Sequence, residues 1–280
     1  MSTRHVRQIL NSRASTDGDG VRIQRTLGEH RYDMDPFLML DEIRSADSAD
    51  YVGGFPPHPH RGIETLTYML AGGFVHEDNM GNREELRDGG AQWMSAGRGV
   101  IHSELPLIHE GLLHGFQLWI NLPAAQKMQP AAYKQATRDA LPSVTLDNGT
   151  VLRAFGGSWE IAGKKLVSPL DNFSANARTL DVSLPADTAL QIPVVKDDTV
   201  LVYVFEGSLQ TERGETKKQH LLRYSSGEKL ALAAGSEGAR VLVLTGTPLG
   251  EPIVQYGPFV MNTEAEIRQA VEDYRNNRLV

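Results

Sequence analysis

Two pairs of metal-ligating residue types, each spaced two positions apart, constrain the fold of this chain most strongly. The pairs are His58 with His60, in His-Pro-His, and His102 with Glu104, in His-Ser-Glu. Both lie in strand-like sequence punctuated by glycine and proline, and residues two apart on a β-strand point to the same face. If the two strands lie side by side, three imidazoles and one carboxylate meet at one point. Such a set suits a divalent transition metal such as iron, manganese, nickel, copper or zinc.

Each pair also has an ordinary explanation when it is taken alone. His58 and His60 could be incidental side chains of a surface loop that the surrounding prolines stiffen. His102 and Glu104 could form a solvated pair in a hairpin. The two pairs lie far enough apart in the chain for several antiparallel strands to come between them. Their coincidence therefore favours a mononuclear metal site inside a β-barrel.

Short apolar runs bounded by turn residues predict an all-β fold. The 280 residues include 27 glycines and 14 prolines, which recur between runs rich in valine, isoleucine, leucine, threonine and aromatic residues. The clearest predicted strands are Thr65–Leu70, Gly115–Leu122, Thr199–Phe205 and Arg240–Thr245. Frequent short strands with such turns are typical of barrels and sandwiches.

The two halves of the chain share a pattern, which predicts two related barrels. The run Glu64–Gly72 resembles Asp198–Gly207, since each is a strand-like run that ends on glycine. A polar segment bounded by proline, Lys127–Pro142, lies between the halves. We therefore predict a metal-binding domain over residues 1–135 and a second domain over residues 136–280. The second half contains a single histidine and no paired ligands, so only the first barrel is expected to hold a metal.

The last segment of the chain has a helical pattern. Thr263 and Glu266 fit a capping box, in which each residue satisfies a backbone N–H of the other. An apolar stripe at helical spacing follows at Ile267, Ala270, Val271 and Tyr274. We expect a C-terminal α-helix within the second domain, packed on the barrel through this stripe.

Composition excludes several classes of function. The chain has no cysteine, so disulfides, cysteine-bound zinc, iron–sulfur clusters and thiol catalysis are impossible. The formal net charge of −7 argues against direct nucleic-acid binding and against capture by an anionic membrane. No apolar run is long enough to cross a bilayer, and the first residues lack the apolar segment of a secretory signal. We expect a cytoplasmic protein and, because one chain would contain both barrels, a monomer.

The sequence around the predicted ligands resembles a known family. Residues 58–72, with H-x-H-x3-E before a glycine, resemble the first cupin motif with one extra residue. Residues 97–102, with G-x-G-x2-H, resemble the second motif with glycine in place of its usual proline. More narrowly, the stretches FPPHPHRGIETLTYMLAG, HEDNMGN, QWMSAGRGVIHSE and GFQLWINLP are similar to the pirin family. The C-terminal stretch GEPIVQYGPFVMNTEAEIRQAVEDY is similar as well, so the resemblance covers nearly the whole chain.

The resemblance implies a bicupin fold, with two antiparallel jelly-roll β-barrels and a metal in the N-terminal one. It implies iron(II) held by His58, His60, His102 and Glu104, although nickel, copper, manganese or zinc could use the same ligands. In many cupins the carboxylate ligand is the glutamate of the first motif, here Glu64. In pirins it comes from the second motif, here Glu104, which also shares a strand face with His102. Glu64 lies an even number of residues from His60, so it could face the same interior beside the ligands or be a buried structural residue.

The same resemblance implies an oxidoreductase. Pirins are similar to quercetin 2,3-dioxygenases, so we expect a flavonol to bind at the metal. Glu104, or a carboxylate near it, is expected to take the 3-hydroxyl proton as the catalytic base. Dioxygen would then open the ring, with release of carbon monoxide and a depside. Four protein ligands would leave about two positions of a six-coordinate metal for the substrate and dioxygen. From family similarity, His76 is expected to line the pocket.

A different class of function is also open. Pirins resemble metal-dependent regulators, and the oxidation state of the iron would then alter the surface that binds a partner protein. The partner could be a transcription factor or a metabolic enzyme. A storage or structural cupin that holds a metal without turnover is a third alternative.

Overall fold

The computed structural model describes residues 2–28 and 32–280, apart from the side chain of Tyr32. The structure is predominantly β, with 57% of the residues in strands and one α-helix near the C-terminus. Both the predicted all-β class and the predicted C-terminal helix are therefore confirmed. In the described part of the chain, none of the helices has the length and apolar character needed to span a bilayer.

The strands follow one another along the whole chain, with tight turns between them. In the first half they are β1 (Val6–Asn11), β2 (Arg13–Asp17), β3 (Val21–Leu27), β4 (Phe37–Ser45), β5 (Phe55–His60), β6 (Ile63–Ala71), β7 (Gly73–Asp78), β8 (Arg83–Arg87), β9 (Ala91–Ser95), β10 (Val100–Pro106), β11 (Leu113–Asn121) and β12 (Ala132–Ala136). In the second half they are β13 (Ser143–Thr145), β14 (Val151–Gly156), β15 (Ser158–Ile161), β16 (Lys164–Val167), β17 (Arg178–Leu184), β18 (Ala189–Pro193), β19 (Thr199–Thr211), β20 (Gly214–Lys217), β21 (His220–Tyr224), β22 (Lys229–Gly246), β23 (Val254–Tyr256) and β24 (Phe259–Met261). Short 3-10 helices lie at Tyr32–Met34, Ser48–Asp50, Ala124–Gln126 and Ser174–Asn176, and the α-helix, α1, is Glu264–Arg275.

The chain divides into two compact units. The site unit, as we call it, comprises Ala14–Arg138 and Leu249–Val280, and the second unit comprises Met1–Arg13 and Asp139–Pro248. The predicted division after residue 135 lies close to the internal boundary but differs from this partition at both chain ends. The reason at the first end is strand pairing, because β1 forms an antiparallel ladder with β21 of the second unit.

Two sheets face each other in the site unit. The larger has the strand order β12-β9-β6-β11-β4-β3-β2, and the smaller has the order β5-β10-β7-β8. Their side chains share an apolar cluster, in which Phe74 and Leu86 of the smaller sheet meet Met69 and Leu113 of the larger one. Burial of this apolar surface is the main favourable contribution to packing one sheet on the other. The two backbone ladders remain separate in the described residues.

The second unit is built on one large sheet. Its order is β1-β21-β19-β22-β17-β14-β13, with β18 paired to β22 and β20 paired to β19, while β15 and β16 pair separately. Alternate residues of β19, namely Val200, Val202 and Val204, lie fully buried in the core of this unit. The intervening Leu201 and Tyr203 are buried as well, so both faces of this strand are covered. The predicted strands at 199–205 and 240–245 lie inside β19 and β22.

The helix α1 belongs to the site unit. Its buried residues Ile267 and Ala270 share an apolar cluster with Phe259 and Met261 of β24. From the sequence we predicted that this helix belongs to the second domain. The structure corrects this prediction and assigns the helix to the site unit. The physical reason is that β23 and β24 form a hairpin within the site unit, and the apolar stripe of α1 packs on that hairpin.

The predicted capping box at the start of α1 is present. The N–H of Glu266 donates to Thr263 Oγ1 at 3.2 Å, and the N–H of Thr263 donates to the Glu266 carboxylate at 2.8 Å. We expect Thr263→Ala to lower the free energy of unfolding by about 1 kcal/mol, because it removes an N-cap acceptor. Chemical denaturation would measure the loss. Thr263→Ser keeps the hydroxyl and should keep most of the stability, so an equal loss in both variants would contradict the capping role.

Candidate metal centre

The two ligand pairs predicted from the sequence lie on neighbouring strands. β5 and β10 are antiparallel, and His102 lies opposite His58 in their register, which shifts between His102 and Glu104. The ring centroids of His58 and His102 are 4.4 Å apart, and those of His60 and His102 are 5.0 Å apart. Strand pairing therefore brings together residues that are more than forty positions apart in the chain.

The three imidazoles form a cluster that could hold a metal ion. One ring nitrogen from each of His58, His60 and His102 lies within 4.8 Å of the other two. Both ring nitrogens of His60, and Nε2 of His102, are buried without a hydrogen-bond partner. Burial of a polar atom in this state costs free energy unless something pairs with it. A metal ion fits as the partner that these nitrogens require.

Burial favours the neutral form of the two inner histidines. It lowers the pKa of His60 and of His102 well below the usual range, and the neighbouring imidazoles lower each pKa further. The Pro258 carbonyl acts weakly in the opposite direction on the pKa of His60, although it does not reach hydrogen-bond geometry with either ring nitrogen. Neutral imidazole is the form that ligates a metal.

Glu104 is buried and held by polar side chains of the larger sheet. The Gln92 amide donates to its Oε1, and the Gln117 amide donates to its Oε2 at 3.1 Å. The Thr67 hydroxyl lies 3.1 Å from Oε1 of Glu104 and 2.6 Å from the Gln117 amide oxygen, and it can donate to one of them. These hydrogen bonds fix the direction in which the Glu104 side chain points.

His76 contacts the predicted ligands from the far side of β10. It lies on β7 opposite Glu104, and one ligand atom each from His76, His102 and Glu104 lie within 4.8 Å of one another. Its ring is stacked on Tyr133, with centroids 4.4 Å apart. The resemblance to pirins predicts that His76 lines the pocket, but His76 is not among the residues of the cavity wall. It lies instead behind His102.

The side chain of Glu64 points to the face of β6 that lies away from Glu104. β6 runs without a register shift from Glu64 to Thr67, so their side chains point to opposite faces, and Thr67 faces Glu104. The even spacing between His60 and Glu64 does not put their side chains on one face. The reason is that Gly62, with a φ of 81°, separates β5 from β6. The structure therefore places Glu104, and not Glu64, beside the imidazoles.

A cavity of about 880 Å³ opens beside the cluster. His58, His60 and Glu104 form part of its wall. Apolar side chains form much of the rest, namely Ile23, Met39, Ile43, Phe55 and Trp119. The rings of Trp119 and His60 are nearly perpendicular, with centroids 5.1 Å apart. A cavity of this volume, mostly apolar with a few polar groups, is typical of a site for a small organic molecule.

One side of the cavity carries charge. Arg25 donates to both carboxylate oxygens of Asp41 and to Asp17. Burial raises the pKa of Asp41 to about 6, against the opposing effect of Arg25. Polar groups of a ligand could therefore be recognised on this side, while its apolar part packs against the aromatic wall.

The residues that hold the predicted ligands in place were not predicted from the sequence. Gln92 and Gln117 each interrupt a strand of mainly apolar residues, AQWMS and LHGFQLWIN. A glutamine inside such a strand is a signal that could have been used, because a buried amide needs a partner. Asp78 follows His76 at the same spacing of two that marked the ligand pairs. Arg25 and Asp41 gave no comparable signal.

Comparison with known proteins identifies the family. Residues 20–120 match the pirin family, and residues 179–280 match the pirin C-terminal cupin domain. A relative from Vibrio cholerae, which carries a provisional name as a quercetin 2,3-dioxygenase, is 47% identical over 271 residues, covering 97% of this chain and 96% of the relative.

Solved structures agree with this assignment. A crystal structure of quercetin 2,3-dioxygenase from Acinetobacter baumannii is 31% identical, with a TM-score of 0.89 and coverage of 99% of each chain. A bacterial pirin from Escherichia coli in complex with nickel(II) shares the fold at 20% identity, with a TM-score of 0.61 and coverage of 86% of this chain and 99% of that one. The chain therefore belongs to the pirin family and has its bicupin fold.

Proposed function

We propose that this protein is a metal-dependent dioxygenase that acts on flavonol-like aromatic substrates. The observation that carries the proposal is the group of His58, His60 and His102, linked through His102 to buried Glu104, beside a largely apolar cavity. The quercetin 2,3-dioxygenase from Acinetobacter baumannii supports it, since that structure matches over nearly the whole chain. The provisional name of the Vibrio cholerae relative points to the same chemistry.

In this proposal His58, His60, His102 and Glu104 hold the metal, which we expect to be iron(II). Nickel, copper, manganese and zinc accept the same ligand types, so metal supply would also influence occupancy. When bound, the metal would supply Lewis-acid and redox chemistry to the substrate oxygen and to dioxygen. The buried imidazoles exclude water from their side of the site and present neutral nitrogens to the ion.

The cavity residues would bind and orient the substrate. Phe55, Trp119 and Ile23 offer apolar surface for planar rings, and Arg25 with Asp41 offers polar contacts to ring hydroxyls. Glu104 would take the proton of the 3-hydroxyl as the general base. The net reaction adds both oxygen atoms of dioxygen to the flavonol and releases one carbon as carbon monoxide, leaving a depside.

Oxygen consumption would test the proposal. The protein is loaded with iron(II) under anaerobic conditions, and quercetin is then added in buffer that contains dioxygen. We expect oxygen uptake by the wild-type protein and a loss of at least about 100-fold in Glu104→Gln, because that variant lacks the base. Glu64→Gln makes the same chemical change at a glutamate whose side chain points away from Glu104. This control variant should retain oxygen uptake. Metal content and circular dichroism of each variant would show that it is loaded and folded.

Two outcomes would contradict the proposal. One is iron bound at one per chain without quercetin-dependent oxygen uptake, which would favour the regulatory function that the sequence also allowed. The other is equal uptake by wild-type protein and Glu104→Gln, which would overturn the proposed role of Glu104 as the base.

A further inference from the structure

A buried histidine and carboxylate lie directly behind His102. The side chains of His76 and Asp78 are both fully buried, and both residues belong to β7, the neighbour of β10 in the smaller sheet. Asp78 lies opposite His102 in the register of these strands. His76 Nε2 is 3.0 Å from Asp78 Oδ2, and His76 Nδ1 is 3.4 Å from His102 Nδ1.

The Asp78 carboxylate is held as an anion that only accepts hydrogen bonds. The backbone N–H groups of Met80 and Asn82 donate to its Oδ1 at 2.9 Å and 3.1 Å. The Asn82 amide donates to its Oδ2 at 2.8 Å. Burial alone would raise the pKa of Asp78, but the hydrogen bonds from Asn82 and His76 outweigh it and lower that pKa.

These contacts determine which nitrogens carry hydrogen. Because a carboxylate cannot donate, the hydrogen between His76 and Asp78 lies on His76 Nε2. In a neutral His76 ring, Nδ1 is then an acceptor, so the hydrogen between the two rings lies on His102 Nδ1. The remaining nitrogen of His102, Nε2, is left with its lone pair. That atom is buried and has no hydrogen-bond partner in the described structure.

We propose that Asp78 and His76 are positioning residues that fix the tautomer of His102 and direct its Nε2 to the metal. His76 is thus a support for a ligand, although its distance from His102 and Glu104 would also allow it to be a ligand itself. The inference rests on the metal site of the proposed function. Metal-bound histidines commonly donate their second N–H to a fixed acceptor, which orients the ring and raises the basicity of the ligating nitrogen.

The same residues extend this support to Glu104. Tyr133 is stacked on the His76 ring at an interplanar angle of 18°, and its hydroxyl lies 3.1 Å from the Gln92 amide oxygen. The Gln92 amide in turn donates to Glu104. One connected set of side chains therefore holds both of the predicted ligands on β10.

Asp78→Asn is the sharpest test, because it replaces one acceptor oxygen by a donor NH2 group with almost no change of shape. The two backbone N–H groups that bind Oδ1 of Asp78 would keep the amide oxygen at that position. The amide nitrogen would then face His76 Nε2 and donate to it. His76 would carry its hydrogen on Nδ1, and His102 would be driven to the tautomer with hydrogen on Nε2, which leaves Nε2 without a lone pair for a metal.

Two readouts test the inference separately. In metal-free protein labelled with nitrogen-15 in histidine, NMR should show His102 protonated on Nδ1 in the wild type and on Nε2 in Asp78→Asn. In calorimetric titration with Ni²⁺, the variant should bind about 10- to 100-fold more weakly. Glu42→Gln is the matched control, since Glu42 pairs with another buried histidine, His114, at 2.9 Å. It should leave both readouts unchanged.

Each result decides the matter. An unchanged His102 tautomer in Asp78→Asn, or an unchanged affinity for Ni²⁺, would overturn the positioning role. His76→Phe adds a check, because it keeps the stacking on Tyr133 but removes both nitrogens, and it should also bind Ni²⁺ more weakly. If the wild-type protein bound no metal, the proposed function would fail, and the NMR readout would still decide the tautomer.

Discussion

Replacing His102 by alanine is expected to abolish specific metal binding. Among the described residues, His102 belongs to both groups whose ligand atoms lie within 4.8 Å of one another, the first with His58 and His60 and the second with His76 and Glu104. Neither group keeps three donors without it. Loss of a supporting hydrogen bond typically weakens a metal site about 10- to 100-fold, so loss of this ligand should exceed about 100-fold.

Titration with Ni²⁺ and metal analysis after gel filtration would measure the effect. His58→Ala should lose less affinity than His102→Ala, because His58 lies at the partly exposed edge and belongs to one group only. His220→Ala, which removes a histidine of the second unit, is the control for non-specific binding. Retention of one Ni²⁺ per chain at wild-type affinity in His102→Ala would contradict the site, provided that thermal unfolding shows a folded variant.

The cluster of predicted ligands could be identified from the sequence because it depends on a local rule. Residues two apart on a strand share a face, and this rule holds within β5 for His58 and His60 and within β10 for His102 and Glu104. The same rule misplaced Glu64, because it was applied across Gly62, where the chain leaves one strand and begins another. Periodicity is informative only within an uninterrupted element.

The cavity and the chain ends depend on contacts that no local pattern encodes. Arg25 on β3 meets Asp41 on β4, and the hairpin near Pro258 reaches the same cavity from the far end of the sequence. Likewise, nothing in the apolar stripe of α1 specifies which barrel it packs against. A stripe predicts burial, while the partner is fixed by long-range contacts such as the backbone bridge of Arg61 with Phe259. The hydrogen bonds that position Glu104 are long-range in the same sense.

Replacing Lys127 by methionine is expected to destabilise the protein, and by an amount that grows with pH. Lys127 is 1% exposed, and its Nζ donates to the Gly62 carbonyl at 2.8 Å, the Asn121 amide oxygen at 2.7 Å and the Val260 carbonyl at 2.9 Å. It thus ties together the turn after β5, the end of β11 and β24. Methionine fills the same space but leaves three buried acceptors unpaired, which should cost about 2–4 kcal/mol at pH 7.

The pH dependence follows from the buried ammonium. Burial lowers the pKa of Lys127 to about 8 from an ordinary value of 10.5, and nearby carboxylates only partly oppose this. Between these two pH values the unfolded chain holds a proton on Lys127 that the folded protein has released. Wild-type stability therefore gains a contribution as pH rises through this window, reaching about 3 kcal/mol at its upper end. The methionine variant lacks that gain.

Urea denaturation of both proteins at several values between pH 7 and pH 10.5 would measure the difference in free energy of unfolding. The gap between wild type and Lys127→Met should be smallest near pH 7 and should widen above pH 8. Lys165→Met, at an exposed lysine, is the control for the substitution itself and should lower the free energy of unfolding little at pH 7. A gap that stays constant or narrows over the same range would contradict the lowered pKa of Lys127 in the folded protein. Because Lys127 binds the carbonyl of Gly62, two residues after His60, the wild-type clamp also fixes the end of the strand that carries two of the proposed ligands.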